Sequence, residues 1–295
     1  MTDTWKIGLV QQACVDDRER NLQASVEGLR DAAALGAQLV LLQELHASTY
    51  LCQVEDVTRF DLAEPIPGPT TDTLSKLAKE LSVVVIGCVF ERGAAGMYHN
   101  TAVAVDVDGS IAGQYRKMHI PDDPGYHEKF YFTPGDQGFT PIQTSIGKLG
   151  VLICWDQWYP EAARLMALRG ADLLLYPSAI GWDARDDERE RLRQRDGWIT
   201  IQRAHAIANA LPVVVCNRTG FEQTAEDDST GIEFWGSSFI AGPQGELLAQ
   251  ATEEESQVLV AELSRRRTEE LRRIWPFFRD RRIDAYQDLA RPYDN

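Results

Sequence analysis

A chain of 295 residues with 44% hydrophobic and 25% charged residues has an ordinary globular balance and enough apolar material for a sizeable core. Its 45 acidic and 30 basic side chains give a formal charge of −15, which disfavours nucleic acid and anionic membranes and mildly attracts cationic ligands. The apolar stretches are strand-sized and Met1-Thr2-Asp3-Thr4-Trp5-Lys6 lacks a signal-peptide pattern, so a cytoplasmic protein without a membrane span is expected.

No linker or low-complexity stretch divides the chain, which predicts a single domain over 1–295. Apolar runs predict strands over 7–11, 39–42, 83–90, 101–106, 113–116, 149–154, 173–176, 213–217, 238–241 and 258–261. Helical spacing intervenes over 21–35, 70–81, 162–169 and 191–211, and a basic helix follows over 264–274. Asp108-Gly109 and Gln244-Gly245 read as hairpin turns. Alternating strands and helices with interspersed hairpins predict an α/β fold with mixed sheets.

Five cysteines (Cys14, Cys52, Cys88, Cys154 and Cys216) are widely spaced, with no Cys-x-x-Cys pair. That pattern fits a reducing compartment. Cys88 and Cys216 lie inside apolar runs and read as inert core residues. Cys154 differs. It ends the run Leu149-Gly150-Val151-Leu152-Ile153 and precedes Trp155-Asp156-Gln157-Trp158-Tyr159-Pro160-Glu161, where Pro160 suits a first helical turn. A cysteine at such an elbow lies near a helix N-terminus, whose partial positive charge favours thiolate, the nucleophilic form. The alternative is a small buried hydrophobe.

Two further strand ends carry ionisable groups. Glu44 follows the run 39–42, and Lys117 follows Tyr115-Arg116. A Glu, a Lys and a Cys in this order and in these contexts resemble the nitrilase superfamily of carbon–nitrogen hydrolases, over essentially the whole chain. The elbow 154–161, the segment Glu128-Lys129-Phe130-Tyr131-Phe132-Thr133-Pro134-Gly135-Asp136 and the tail Trp275-Pro276-Phe277-Phe278-Arg279-Asp280-Arg281-Arg282 are similar to its carbamoylputrescine-hydrolysing branch.

The resemblance implies a four-layer α-β-β-α sandwich and a thiol mechanism needing no cofactor and no metal. Cys154 would be the nucleophile, Glu44 the proton carrier and Lys117 the cation beside the oxyanion, with the backbone N–H of Trp155 as a second oxyanion donor. Glu128 matches a second glutamate of the superfamily, able to orient Lys117 or to touch substrate. Tyr50, Ser178 and Trp182 fall where the family shapes its substrate pocket. The expected substrate is a small cationic ureido compound, with N-carbamoylputrescine giving putrescine, carbon dioxide and ammonia on a route from agmatine. No arginine pair follows Cys154, unlike family enzymes that take N-carbamoyl D-amino acids, and Asp122, Asp123, Glu128, Asp156 and Asp183 are the acidic candidates for a distal ammonium. An ω-amidase or β-ureidopropionase is the alternative within the class, and a silent metabolite-binding scaffold is the alternative outside it. Family assembly also implies a homo-oligomer, with the tail from about 264 in its interface.

Two other constellations are weaker. His119, Asp122, Asp123, His127 and Glu128 are metal-ligand types, but they share a Pro/Gly-broken loop without helical His spacing, and His46 near Glu44 does not mend this. His205 with Cys154 could form a protease-like dyad, but His205 lies on the apolar stripe of the long helix and reads as a core histidine.

Overall fold

The computed structural model describes residues 3–183, 185–224 and 227–291. In chain order, β1 (Thr4–Gln11) and α1 (Arg18–Ala34) lead to β2 (Leu39–Leu42). Next, α2 (Pro69–Leu81) leads to the meander β3 (Val84–Arg92), β4 (Tyr98–Val105) and β5 (Ile111–Arg116). A single turn of helix, α3 (Glu128–Tyr131), precedes the hairpin β6 (Ile142–Thr144) and β7 (Gly147–Val151). The alternation then resumes with α4 (Pro160–Leu168), β8 (Leu173–Pro177), β9 (Gly181–Asp183), α5 (Glu188–Asn209) and β10 (Val213–Cys216). The chain ends in β11 (Thr219–Thr224), β12 (Asp227–Trp235), β13 (Phe239–Ala241), β14 (Leu247–Gln250), β15 (Gln257–Ser264) and α6 (Arg265–Ile274).

Two six-stranded sheets result, ordered β15-β1-β2-β3-β4-β5 and β14-β13-β10-β8-β7-β6. The central strands of each pair in parallel and the outer ones antiparallel. Strand alternation sorts the first sheet's side chains onto two faces. Ile7, Leu9, Leu39, Leu41, Val84 and Ile86 share one buried cluster with Leu149, Leu173, Val213 and Val215 of the second sheet. On the other face, Val10, Val40, Leu42 and Val85 meet Leu29 of α1 and Leu74 and Leu77 of α2. With α4 and α5 against the second sheet, the layers run helix, sheet, sheet, helix. Each such side chain, fully buried, contributes about 1.5–3 kcal/mol. The approach of α1 is close: a Cβ at Gly28 would stand 2.4 Å from a Val10 methyl, so Gly28→Ala forces the helix off its sheet.

The two hairpin turns stand where the sequence puts them, between β4 and β5 and between β13 and β14. A third sheet, ordered β11-β12-β9, does not follow from the apolar runs. Its strand Thr219–Thr224 is largely polar, and Phe221 on it points out to solvent, so no buried run marks it. Among the described residues no helix is long and apolar enough to cross a membrane.

Candidate active site

Glu44 and Cys154 leave their sheets through the same backbone device. Leu45, just after Glu44, has φ +48° and Cys154 has φ +42°, in the left-handed region that non-glycine residues rarely occupy. Such conformations persist only when the surroundings hold them. At Glu44 the holding group is Arg218, fully buried, whose guanidinium donates to the carbonyls of Glu44 and Leu45 at 3.0 Å each and of Ser48 at 2.8 Å. Glu222 accepts from Arg218 at 2.5 Å and takes the Tyr50 backbone N–H at 2.6 Å on its other oxygen. One buried ion pair thus ties down the whole loop from Glu44 to Tyr50. Removing either partner leaves a buried charge uncompensated, which costs about 3–5 kcal/mol.

At Cys154 the holding group is Asp156, also fully buried. Its carboxylate accepts from the Ile153 N–H at 2.9 Å, the Tyr115 hydroxyl at 2.8 Å and the His119 N–H at 3.1 Å, with His119 Nδ1 at 2.6 Å. Pro160 opens α4 six residues beyond Cys154, as its fixed φ allows.

Lys117 is the hub between these two ends. Its Nζ lies 2.8 Å from Glu44 Oε1 and 2.8 and 2.7 Å from the two oxygens of Glu128. Three contacts engage the three protons of the ammonium. The Tyr50 hydroxyl donates to Glu128 Oε1 at 2.7 Å, and the Asn100 side chain donates to Glu44 Oε1 at 2.6 Å. Lys117, Glu44 and Glu128 are all buried. The segment after α3 presses on this hub: the Gly135 N–H donates to the Lys117 carbonyl at 2.8 Å, and a Cβ there would stand 2.2 Å from Arg116 O.

Burial raises the Glu128 carboxyl to about 7, opposed by Lys117 and reinforced by Glu44. Burial likewise pushes the Cys154 thiol well above its usual value, with Glu44 adding to this and Lys117 opposing it. This corrects the expectation of a helix-stabilised thiolate. Cys154 begins a short 3-10 turn, not α4, and two carboxylates face it, so its resting form is the thiol. Its Sγ lies 3.8 Å from the Ala179 carbonyl.

Cys154 and Glu128 line a cleft of about 400 Å³. Trp155, Trp158, Tyr126, Ile180 and Trp235 form its apolar walls, and Asp123, Asp183 and Asp186 stand in its lining. Of the sequence-derived pocket residues, Trp155 lies on this wall, while Tyr50, Ser178 and Trp182 do not. Tyr50 is buried behind Glu128 as its hydrogen-bond donor. Ser178 is buried between Gln157 Oε1, at 3.2 Å, and the Glu44 N–H, which its carbonyl accepts at 3.3 Å. Trp182 packs behind Trp235 at a ring separation of 5.7 Å and donates to the Arg191 carbonyl at 3.0 Å. Asp156 also leaves the set of ammonium candidates, since its oxygens serve the elbow.

The other constellations separate in space. His119 turns to Asp156 and Glu128 to Lys117, so the loop between them does not converge. His205 meets the Gln157 carbonyl at 2.8 Å and stacks with Tyr176, the behaviour of a core histidine. Asn100, Arg218, Trp158 and Trp235 were not singled out from sequence. The one available signal was polarity: Asn100 and Arg218 each stand beside an apolar run, and each proves fully buried.

Residues 6–273 match the carbon-nitrogen hydrolase family model, and the chain belongs to that family. It is 46% identical over 285 residues to an N-carbamoylputrescine amidase of Solanum lycopersicum, covering 96% of this chain and 94% of the relative. It is 40% identical over 289 residues to a citrullinase of Francisella tularensis, covering 98% and 99% respectively. A crystal structure of a carbon-nitrogen hydrolase from Helicobacter pylori G27 superposes with a TM-score of 0.96 at 51% identity, over 99% of this chain and all of that one. The four-layer α/β sandwich and the carbon–nitrogen hydrolase class expected from the sequence both stand.

Proposed function

We propose that the chain hydrolyses N-carbamoylputrescine to putrescine, carbon dioxide and ammonia, with Cys154 as nucleophile. The observation that carries the mechanism is the buried Glu44–Lys117–Glu128 chain beside a cleft-lining thiol. Glu44 takes the thiol proton as sulfur attacks the ureido carbon, and returns it to the nitrogen that departs. The same carboxylate then takes a proton from water, which attacks the S-carbamoyl intermediate and restores the thiol; the carbamate so released breaks down to carbon dioxide and the second nitrogen product. Lys117 and the Trp155 N–H receive the oxyanion, Lys117 by releasing one contact to Glu128 while the Tyr50 hydroxyl keeps that carboxyl in place.

The substrate assignment is supported by the relatives named carbamoylputrescine amidases and by the charge of the cleft. Four carbons of aliphatic chain suit the tryptophan walls, and Asp123 and Asp186 offer carboxylates to an ammonium at the far end. Citrulline is the second reading, favoured by the 40% identical relative. It carries the same ureido group and an added carboxylate, which would meet Asp123 and Asp186 as like charge. Release of ammonia from N-carbamoylputrescine, citrulline, β-ureidopropionate and glutaramate, measured side by side, tests the assignment. Preference for any of the last three overturns it.

The tail supports a homo-oligomer. Phe278 docks on its own subunit between Arg164, 5.2 Å from the ring, and Arg272, 5.9 Å away. Ile274, Trp275, Phe277, Ile283 and Leu289 instead stay exposed, a concentration of apolar and aromatic surface that suits contact with a second copy.

A further inference from the structure

We infer that Asn100 is a positioning residue that dictates which oxygen of Glu44 moves the proton. This rests on Glu44 being the base for Cys154, as proposed above. The two oxygens of Glu44 are in opposite states. Oε1 accepts from Lys117 Nζ at 2.8 Å and from Asn100 Nδ2 at 2.6 Å. Oε2 is buried and has no hydrogen-bond partner among the described residues. A buried carboxylate oxygen left bare is costly unless its lone pairs have work to do. Saturating Oε1 leaves Oε2 to take the proton from the thiol and, later, from water.

The orientation of the amide follows from its neighbours. The Cys88 thiol donates to Asn100 Oδ1 at 3.5 Å, and a flipped amide would set its oxygen 2.6 Å from a carboxylate oxygen, acceptor against acceptor. The backbone carbonyl of Asn100 also accepts the backbone N–H of Lys117 at 2.9 Å, which fixes the start of the lysine beside it whatever side chain stands at 100. One residue at the head of β4 therefore places base and cation together. Its neutral amide holds Glu44 without adding a further charge to a buried site.

The charges that reach Glu44 are those of Lys117, Arg218 and Glu128. The remaining neighbours are the thiols of Cys52, Cys88 and Cys154 and the phenols of Tyr50 and Tyr126, all raised by burial and neutral near pH 7. Removing the Asn100 donor takes a hydrogen bond from the charged form of Glu44 and favours the protonated one.

The test measures alkylation of Cys154 by iodoacetamide against pH, which is independent of the natural substrate, together with kcat and KM on the substrate that turns over best. Asn100→Ala should lower kcat by roughly 10- to 150-fold with KM little changed, and should move the acid limb of alkylation to higher pH. Asn100→Asp keeps the shape and carries the test if the alanine variant does not fold. A proton shared by the two carboxylates supplies the donor at low pH, so its activity relative to the unaltered protein should fall as pH rises. An unmoved limb in Asn100→Ala, or a pH-independent activity ratio in Asn100→Asp, overturns the inference. Glu44→Gln is the control: if it leaves the alkylation profile unchanged, the base assignment fails first.

Discussion

The Lys117 ammonium touches both oxygens of Glu128, at 2.8 and 2.7 Å, where neither side chain reaches solvent. An ion pair so deeply buried is weak evidence for stability, because desolvating both charges offsets most of their attraction. Its worth lies in holding Lys117 between Glu44 and the cleft. The residual cost appears as the raised Glu128 carboxyl.

That cost has a sign in pH. The unfolded carboxyl titrates near 4.5 and the folded one near 7, so between those values the native state holds a proton that the unfolded chain has lost. The contribution of Glu128 to stability is therefore full below about 4.5 and declines as pH rises through 7. Glu128→Gln removes the dependence. Denaturant midpoints at pH 5 and pH 8 should show the unaltered protein losing more stability than the variant over that interval. Parallel losses in the two proteins would contradict the raised carboxyl.

Because Cys154 rests as a thiol, its reactivity should depend on Glu44. Cys154→Ala should abolish turnover with the fold intact. Glu44→Gln should lose about 10²–10⁴-fold in kcat, the usual range for a proton carrier, and Lys117→Ala about 10²–10³-fold or more for the lost oxyanion donor. Chelators should leave the rate unchanged. A Glu44→Gln enzyme alkylated as fast as the unaltered protein would mean that the thiol ionises without help.

The layered fold was readable because its central strands are short, continuous apolar runs buried on both faces, as at Leu39–Leu42 and Val213–Cys216. Glu44, Lys117 and Cys154 were readable because each ends or follows such a run. The sheet of β9, β11 and β12 was not, since β11 carries no buried apolar run and the short β9 pairs with β12 from a distant part of the chain. The same limit hid Asn100 and Trp235, whose importance comes from what faces them. It also misdirected Tyr50 and Trp182, which have suitable side chains near suitable motifs but lie one layer behind the cleft. Asp156 is the clearest instance: its place two residues after Cys154 suggested a substrate contact, while its oxygens are taken up by the elbow that holds Cys154 at positive φ.

The exposed apolar tail carries its own expectation. The protein should sediment at a multiple of its 33.1 kDa chain mass at micromolar concentration. Trp275→Ser with Phe277→Ser should weaken assembly, by roughly 30-fold or more for each side chain that is an interface anchor of about 2 kcal/mol. Phe278→Ser should instead lower the thermal midpoint, because Phe278 is clamped within its own subunit. A monomer by light scattering would refute the oligomer.

The carboxylates of the cleft should decide the substrate. Asp183 is engaged by Arg185, through Oδ1 at 2.7 Å and Oδ2 at 2.6 Å, whereas the Asp186 carboxylate accepts from the Asp183 N–H and the Gln194 side chain, each at 3.2 Å, with Arg191 on its backbone carbonyl at 3.1 Å and the Arg185 charge near enough to act on it. Asp123 stands exposed in the same lining. On the proposed reading, Asp186 and Asp123 are the carboxylates that receive the ammonium. A hydrogen bond to a charged group is worth about 1.5–3 kcal/mol, so replacing the ammonium of N-carbamoylputrescine by methyl should lower kcat/KM roughly 10- to 150-fold. Asp186→Asn or Asp123→Asn should erase most of that preference by raising KM for the amine, while N-carbamoylpentylamine, held by the tryptophan walls alone, is turned over as before. Citrulline should gain from the same substitutions, since they remove the like charge facing its carboxylate. Equal turnover of N-carbamoylputrescine and N-carbamoylpentylamine by the unaltered protein would eliminate the ammonium site. Citrulline as the better substrate would reassign the far end of the cleft while leaving the chemistry at Cys154 in place.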